Sequence, residues 1–214
     1  MATNDDVAKL RAEFDEWADS YDASMVHPNG ILMGYAEARN AAARLLPIRQ
    51  GDAVLDIGVG TGLFGELFAA RGAQVLGVDV SPRMLAVCAA KHPGWTYREG
   101  HFLALPAASA SQDWVVSAFA SHHLPPADWA PALAEVMRVL RTDGRFLLVD
   151  ILFGDERAKD AVRQELSAQG QWEEEPYPVY DQLRQVAAAM ALDTEWTPLT
   201  PLHGAVVFQR TSPA

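Results

Sequence analysis

The stretch from Val54 to Gly65, V-L-D-I-G-V-G-T-G-L-F-G, combines an aspartate with closely spaced glycines. Read from Gly60, it satisfies G-x-G-x-x-G, the pattern of dinucleotide-binding turns. Read from Asp56, it is D-x-G-x-G-x-G, with glycines at 58, 60 and 62. Both patterns predict a strand that ends where a helix begins, with backbone N–H groups facing an anionic or polar ligand.

An acidic residue follows at the distance that ribose recognition requires. Asp79 closes the next apolar run, Q-V-L-G-V-D, roughly 20 residues after the first motif, as in nucleotide-binding βαβ units. Its carboxylate can accept hydrogen bonds from ribose hydroxyls. Asp56 lies inside an apolar strand, where an uncompensated carboxylate is costly. It should therefore either hold the glycine loop or reach a cationic group of the ligand.

Short apolar strands alternating with helices must position this turn. Strands are predicted at A-V-L-D-I, Q-V-L-G-V-D, W-T-Y-R-E, D-W-V-V-S-A-F and R-F-L-L-V-D-I, and helices at residues 61–70, 81–91 and 127–140. The D-G pair before the fifth strand predicts a turn. This alternation indicates βαβ units and a parallel sheet.

Helical segments flank the alternating region. One spans residues 5–21, with apolar residues at three- and four-residue spacing, and a second runs to about Leu46, where Pro47 stops it. Helices at 156–169 and 181–191 are followed by strands near T-E-W-T and A-V-V-F-Q. We expect a single domain over residues 1–214. It would comprise an N-terminal helical extension (1–47), a cofactor-binding core (52–151) and a helical insertion (152–192).

Composition narrows the possible ligands. Of the 214 residues, 50% are hydrophobic and 21% charged, as is typical of a globular protein. A net charge of -11 disfavours nucleic acid, whose phosphates need clustered lysine and arginine. The N-terminus lacks signal-peptide features and no run approaches the length of a membrane span, which predicts a cytoplasmic location without membrane association. A single cysteine, Cys88, and scattered histidines predict no metal site.

Four motifs resemble, in order and spacing, those of class I S-adenosylmethionine-dependent methyltransferases. They are V-L-D-I-G-V-G-T-G, G-V-D-V-S, R-E-G-H-F-L-A-L-P and V-V-S-A-F-A-S-H-H-L. F-D-E-W-A-D-S-Y-D near the start, H-H-L after the fourth strand and a late acidic and aromatic stretch resemble the small bacterial YrrT-like group. The resemblance implies a Rossmann-like α/β fold. Its seven-stranded, mostly parallel sheet would have one antiparallel late strand, helices on both faces and a helical N-terminal lid.

The resemblance also implies S-adenosyl-L-methionine as cofactor, S-adenosyl-L-homocysteine as product, and specific residues around them. The three glycines would line the methionine and ribose part, and Asp79 would hold both ribose hydroxyls. Met84 would pack near the adenine, and Tyr21 would approach the cofactor carboxylate from the lid. The predicted cofactor-binding residues are Tyr21, Asp56, Gly58, Gly60, Gly62, Asp79, Val80, Met84, His101, Phe102, Ala118 and Phe119.

The chain departs from this family at Glu99-Gly100-His101-Phe102, because the family usually has an aspartate in place of His101. The family aspartate accepts a hydrogen bond from the adenine amino group. A neutral histidine can still accept through one ring nitrogen, whereas a protonated one cannot. We therefore predict cofactor affinity that falls as the pH drops through roughly 6.5. In the alternative, His101 faces solvent and backbone N–H groups recognise the adenine.

Methyl transfer depends on positioning and desolvation more than on acid–base groups. His122 or His123, after the fourth strand, is predicted to take a proton from an O–H or N–H acceptor; alternatively, these histidines cap or pack the next helix. The acidic run at residues 173–175, followed by prolines and tyrosines, either forms a lid that favours a cationic or amine substrate or is a solvated loop.

These observations predict methyl transfer from S-adenosylmethionine to an O, N or C nucleophile of a small molecule by in-line displacement. The enzyme would be a monomer or homodimer that binds no nucleic acid and no membrane. Two alternatives stay open at this point. An NAD-dependent oxidoreductase would use the same loop as G-x-G-x-x-G, and a non-catalytic S-adenosylmethionine-binding sensor would be compatible with the departure at His101.

Overall fold

The computed structural model describes residues 4–26 and 28–211. The helices in this part of the chain are α1 (Asn4–Trp17), α2 (Tyr21–Ser24), α3 (Tyr35–Ala42), α4 (Glu66–Ala69), α5 (Pro82–Lys91), α6 (Trp129–Val139), α7 (Glu156–Ala168) and α8 (Tyr180–Ala189). The strands are β1 (Ala53–Ile57), β2 (Gln74–Asp79), β3 (Thr96–Glu99), β4 (Gln112–Ala118), β5 (Leu140–Ile151), β6 (Leu192–Pro198) and β7 (His203–Arg210). Short 3₁₀ turns lie at Gly30–Leu32, Ser121–His123 and Pro126–Asp128.

The seven strands form one sheet in the order β3-β2-β1-β4-β5-β7-β6. The first five strands are parallel, whereas β7 is antiparallel to both of its neighbours, β5 and β6. Chain order reverses between β1 and β4, where the next connection crosses to the other side of the sheet. Ligands bind at such a switch point in open α/β sheets. The predicted fold, including its single antiparallel late strand, is confirmed.

Both faces of the sheet are buried, and the period-2 alternation of each strand assigns neighbouring residues to opposite layers. Val54, Val116 and Leu147 pack in the layer that also contains α3 and the N-terminal segment. The adjacent Leu55, Val115 and Leu148 pack in the layer of α6 and α8. A parallel sheet covered on both sides explains why these strands are nearly continuous apolar runs.

Two predicted boundaries are wrong for identifiable reasons. Helix α4 is short because residues before it continue the glycine turn, which the Gly62 N–H closes on the Val59 carbonyl at 2.8 Å. Strand β5 begins at Leu140, directly after α6, so the D-G pair lies inside a strand and forms no turn. A Cβ on Gly144 would lie 2.9 Å from the Asp113 carbonyl oxygen. Close approach to β4, where the register shifts, therefore explains this glycine.

Within residues 4–26 and 28–211, none of the helices is long and apolar enough to cross a membrane. The same residues contain no cluster of three or more histidine, cysteine, aspartate or glutamate side chains that could hold a metal ion.

Candidate active site

The glycine turn follows β1 at the carboxyl end of the sheet. Gly58 and Gly60 have φ angles of 69° and 51°, a region that side chains with a Cβ rarely adopt. A Cβ on Gly58 would also lie 2.4 Å from the Ala120 Cβ, whereas a Cβ on Gly60 would meet nothing within 4 Å. Gly58 thus permits the close approach of the loop after β4, and Gly60 leaves its backbone open to a ligand.

Asp79 fastens this turn to the next helix. Its Oδ2 accepts a hydrogen bond from the Gly60 N–H at 2.8 Å, and its Oδ1 accepts one from the Ser81 N–H at 2.9 Å. Burial raises the pKa of the carboxyl to about 6, although the backbone N–H groups of Ser81, Gly60 and Val80 oppose that shift. A buried carboxylate pre-ordered by backbone donors is well suited to bind ligand hydroxyls.

These elements enclose a cleft of about 550 Å³, which we call the cofactor cleft. It lies at the carboxyl ends of β1, β2 and β4, beneath α1. Its lining residues are Leu10, Phe14, Tyr21, Gly58, Gly60, Asp79, Val80, Met84, Gly100, His101, Ala118, Phe119, Ala120 and His123. Most of the predicted cofactor-binding residues are therefore brought together in one cleft.

Three predicted residues lie outside this lining. Asp56 lies under the turn, where its Oδ2 would be only 3.0 Å from a Cβ on Gly65. Burial raises its pKa well above the ordinary value, the charge of Asp79 adds to the shift, and the Gly65 N–H opposes it. Gly62 packs against Cys88, and Phe102 is buried in the layer of α6. Asp56, Gly62 and Phe102 therefore belong to the packing beneath the glycine turn and do not line the cleft.

His101 lines the cleft. Its Nδ1 accepts a long hydrogen bond from the Leu103 N–H at 3.3 Å, so the neutral ring carries its proton on Nε2. Burial lowers the pKa of His101 below 6.5. The one acceptor nitrogen of His101 is therefore already hydrogen-bonded within the chain. The pKa of the ring is also lower than the sequence suggested. Acceptance of an adenine hydrogen bond by His101 stays a prediction, and it would require this contact to Leu103 to break.

Helix α1 covers the cofactor cleft and is tied to the N-terminus of α5. The carboxylate of Asp15 accepts hydrogen bonds from the Ser81 hydroxyl at 2.5 Å and from the Arg83 N–H at 3.1 Å. The Arg83 guanidinium donates to both oxygens of Asp19, at 2.7 and 2.8 Å. After α1, Lys91 pairs with Asp22 at 2.6 Å. We call these contacts the lid latch.

A second pocket of about 580 Å³ adjoins the cleft, and we call it the acceptor pocket. The two cavities share Phe14, Tyr21, Phe119 and His123. Phe119 is held at a φ of 56°, a conformation that non-glycine residues seldom adopt, and it lines both cavities. The other residues of the acceptor pocket are Glu13, Trp17, Ile31, Leu32, His122, Ile151, Glu173, Glu175 and Tyr177.

His122 and Asp150 form a buried pair at the base of the acceptor pocket. The Nδ1 of His122 lies 2.6 Å from Oδ1 of Asp150, which leaves Nε2 for a ligand. Oδ2 of Asp150 accepts hydrogen bonds from the hydroxyl and N–H of Ser121, at 2.5 and 2.8 Å. Burial opposes the charged form of His122, but the adjacent carboxylate outweighs it and raises the pKa of the ring. The same contacts lower the pKa of Asp150 despite its burial.

His123 has the opposite electrostatics. Burial, and then the charge of His122, lower the pKa of its ring to about 3. It is therefore neutral near pH 7, although a Glu175 carboxylate oxygen lies 3.9 Å from its Nδ1. The structure distinguishes the two histidines, which the sequence could not.

Sequence reasoning missed the role of Asp150. A detectable signal was present, since an aspartate inside the apolar run R-F-L-L-V-D-I carries the same desolvation cost that singled out Asp56. Its partner is His122, 28 positions earlier on another element, and no local spacing connects the two.

Comparisons with known proteins agree with this geometry. The family described as "Methyltransferase domain" matches residues 54–144. An "uncharacterized methyltransferase" of Bacillus pumilus (strain SAFR-032) is 32% identical over 182 residues, which cover 81% of this chain and 84% of that protein. The "uncharacterized methyltransferase YrrT" of Bacillus subtilis (strain 168) is 27% identical and is covered over 90% of its length, against 86% of this chain.

Among solved structures, the DhpI-SAH complex superposes with a TM-score of 0.77 at 16% identity, covering 99% of this chain and 100% of the other. That likeness establishes the fold. With the sequence relatives, it defines the class of the protein as an S-adenosylmethionine-dependent methyltransferase. The chain belongs to the class I family of these enzymes, in the group of small bacterial methyltransferases that includes YrrT.

Proposed function

We propose that the chain binds S-adenosylmethionine in the cofactor cleft and transfers its methyl group to a small molecule held in the acceptor pocket. One observation carries the proposal. The two cavities, of about 550 and 580 Å³, share Phe14, Tyr21, Phe119 and His123 as a common wall. A donor in one cavity and an acceptor in the other would meet where the cavities adjoin at these shared residues, which is the positioning that group transfer needs.

The residues present fit this cofactor. Gly60 offers open backbone, since a Cβ there would meet nothing within 4 Å. Asp79 presents a carboxylate, 7% exposed, at the end of β2, where ribose hydroxyls bind in nucleotide folds. Met84 and Val80 supply apolar surface for a flat base. Tyr21, from the lid side, would approach the cofactor carboxylate.

When bound, S-adenosylmethionine supplies a methyl group on a positively charged sulfur, which a nucleophile displaces in line. In this proposal, Phe14 and Tyr21 exclude water from the junction of the cavities, which strengthens electrostatic interactions there. Neutral His122 takes a proton from the acceptor through Nε2, while Asp150 holds Nδ1–H and stabilises the resulting imidazolium. His123 would pack beside the two ligands where the cavities adjoin.

The proposal is tested by titrating the protein with S-adenosylhomocysteine, S-adenosylmethionine and NADH in a calorimeter between pH 5 and 8. We expect both methionine-derived ligands to bind and NADH not to bind. Asp79→Asn should weaken binding at least tenfold, because the amide cannot accept the same hydrogen bonds through both of its terminal atoms. Affinity of the wild type should fall below pH about 6, as the Asp79 carboxyl becomes protonated.

His101→Asn is the matched control for that pH dependence. If Asp79 is the titrating group, the fall below pH about 6 persists in this variant and disappears in Asp79→Asn. A fall that disappears only in His101→Asn would assign the adenine-reading role to the histidine. Binding of NADH alone would contradict the proposal and restore the oxidoreductase alternative.

Turnover is the further part of this test. Release of S-adenosylhomocysteine in the presence of pooled small metabolites separates an enzyme from a sensor that only binds the cofactor. The division into a lid, a cofactor-binding core and a helical insertion belongs to the same proposal. The cytoplasmic location and a monomeric or homodimeric state are likewise proposed.

A further inference from the structure

We infer that the acceptor pocket takes a small molecule bearing an ammonium group, so that the methyl acceptor is a primary or secondary amine. The inference rests on the proposed function and names the substrate class of the same site. It is carried by a cavity whose charged lining is acidic, whose walls are aromatic, and whose base is the His122–Asp150 pair.

Apart from His122, which is already paired with Asp150, the charged groups that line the pocket are acidic. Its lining includes Glu13, Glu173 and Glu175, and none of its lining residues is a lysine or an arginine. His123 does not compensate Glu175 despite the 3.9 Å separation, because a ring whose pKa is about 3 is uncharged near pH 7. An anionic acceptor, such as a carboxylate or a phosphate ester, would meet only repulsion from these side chains.

The walls between these carboxylates are aromatic. Phe14, Trp17 and Tyr21 come from α1 and α2, and Tyr177 comes from the segment before α8. The rings of Trp17 and Tyr21 meet edge to face with centroids 4.8 Å apart, and the ring centroids of Tyr177 and His122 are 5.9 Å apart. Aromatic faces beside carboxylates form the usual environment for an organic ammonium group, which gains from cation–π contact and from charge pairing.

The Glu175 carboxylate is only partly buried, with 39% of its side chain exposed, and a cation beside it would still be favourable. Burial raises the pKa of Glu175, the charges of Glu13 and Glu173 add to the shift, and the His122 ring opposes it. The ionised carboxylate is therefore incompletely compensated by the chain itself. A ligand ammonium between Glu175 and His122 would supply the missing charge, while Ile31 and Leu32 would contact an apolar part of the same ligand.

The chemistry requires one proton to move before methylation. A bound ammonium nitrogen loses a proton to Nε2 of neutral His122, which then forms an ion pair with Asp150. The freed nitrogen lone pair forms the new N–C bond as the C–S bond breaks, and the bonding electrons stay on sulfur. His122 later releases its proton to solvent, so the balance needs no other co-reactant.

The test measures binding of three isosteric probes, benzylamine, benzyl alcohol and benzoate, to the protein saturated with S-adenosylhomocysteine. We expect benzylamine to bind at least tenfold more tightly than the alcohol, and benzoate more weakly than either. Glu175→Gln together with Glu173→Gln should reduce the preference for the amine about tenfold. Glu174→Gln is the matched control, since Glu174 belongs to the same acidic run but does not line the pocket.

The outcomes separate the two levels of the proposal. Failure of S-adenosylhomocysteine to bind would remove the proposed function, and the inference with it. Normal cofactor binding with equal or tighter binding of the alcohol or benzoate would overturn the amine inference alone. An equal effect of Glu174→Gln would reduce the acidic run to a general surface charge. If Glu175→Gln weakens S-adenosylmethionine more than S-adenosylhomocysteine, the carboxylate serves the cofactor sulfonium and the inference is also overturned.

Discussion

At the scale of single residues, adjacent histidines of identical chemistry have opposite electrostatics because only one of them is hydrogen-bonded to a buried carboxylate. His122 lies 2.6 Å from buried Asp150, which raises the pKa of its ring against the cost of burial. His123 is buried without a comparable partner, and its pKa falls to about 3. This difference supports the proposed role of His122, rather than His123, as the proton acceptor.

We expect the Cε1–H resonances of the two rings to titrate separately by NMR. His122 should show a pKa above 6.5, and His123 should remain neutral down to pH about 4, since its pKa is about 3. Asp150→Asn should lower the pKa of His122, because the stabilising carboxylate is gone and burial remains. The ion pair stabilises the fold fully between the unfolded pKa of the aspartate and that of the histidine. This contribution is lost as the pH rises through the folded pKa of His122 or falls through that of Asp150.

His101→Ala serves as the control for that titration, because His101 lies in the cofactor cleft and has no contact with Asp150. Its removal should leave both curves unchanged. An unshifted His122 in Asp150→Asn would show that the pair does not set the basicity of the ring. The proposed role of His122 as proton acceptor would then lose its support.

At the scale of elements, polar contacts tie helix α1 and the residues just after it to helix α5, and the same segment covers the cofactor cleft. Asp15 and Asp19 bind the first turn of α5, and Phe14 faces the cavities. Exposed ion pairs contribute little to global stability, but several of them acting on one helix can set how often it opens. The lid latch is therefore expected to act on rates more than on folding.

Arg83→Ala tests that expectation. The substitution removes the side-chain pair with Asp19 while leaving the Arg83 N–H free to bind Asp15. We expect the dissociation rate of S-adenosylhomocysteine, measured by stopped-flow fluorescence, to rise several-fold with a melting temperature within about 1 °C of wild type, since exposed pairs are weak. Raised salt should accelerate release from the wild type and have less effect on the variant.

Arg163→Ala offers a matched control, because Arg163 forms a similarly exposed pair with Asp160 on α7 that takes no part in the lid latch. It should change neither the release rate nor its salt dependence. Equal acceleration by both substitutions would show that the lid latch has no special role.

The sequence predicted the positions of the strands, but it did not predict the ends of some helices and strands. Short apolar runs between helical segments located the strands, because a run such as Q-V-L-G-V-D is interpreted as a buried strand once a parallel sheet is assumed. The ends of α4 and β5 were missed because tertiary contacts determine them. Gly62 continues the turn into the expected helix, and Gly144 sits in a strand because β4 passes 2.9 Å from its Cβ position. Asp56 and Phe102 were predicted to bind the cofactor but lie outside the lining of the cleft, because the position of a residue in a motif does not reveal which way its side chain points.

At the scale of the whole molecule, the cavities lie at one end of the sheet, and part of the stabilising core lies away from them. The cleft lies at the carboxyl ends of β1, β2 and β4, whereas some large buried side chains, such as Phe146 and Phe208, pack farther down the strands. Phe208 on β7 is fully buried and lies with its ring centroid 5.5 Å from that of Phe146 on β5. In register, this pair lies three residues below Val149, which pairs with Ala118 at the cleft.

Phe208→Ala should therefore destabilise the fold by about 3–5 kcal/mol, the usual cost of removing a buried phenylalanine. The dissociation constant for S-adenosylhomocysteine should stay within about twofold, because sites this far apart are usually additive. Denaturant unfolding and calorimetry measure the two quantities. Phe208→Leu should lose less stability, since it leaves a smaller cavity. A large change in cofactor affinity in either variant would contradict this separation.

The common wall of the two cavities has a consequence for the order of events in turnover. Phe14 and Tyr21 line both the cofactor cleft and the acceptor pocket, and in the proposed function the segment that carries them would move to admit the cofactor. While that segment is open, the acceptor has no complete site to occupy. Substrates would consequently enter in a compulsory order, cofactor first, and the methylated product would leave before S-adenosylhomocysteine. The spent cofactor would then be a competitive inhibitor against its precursor and a non-competitive one against the acceptor.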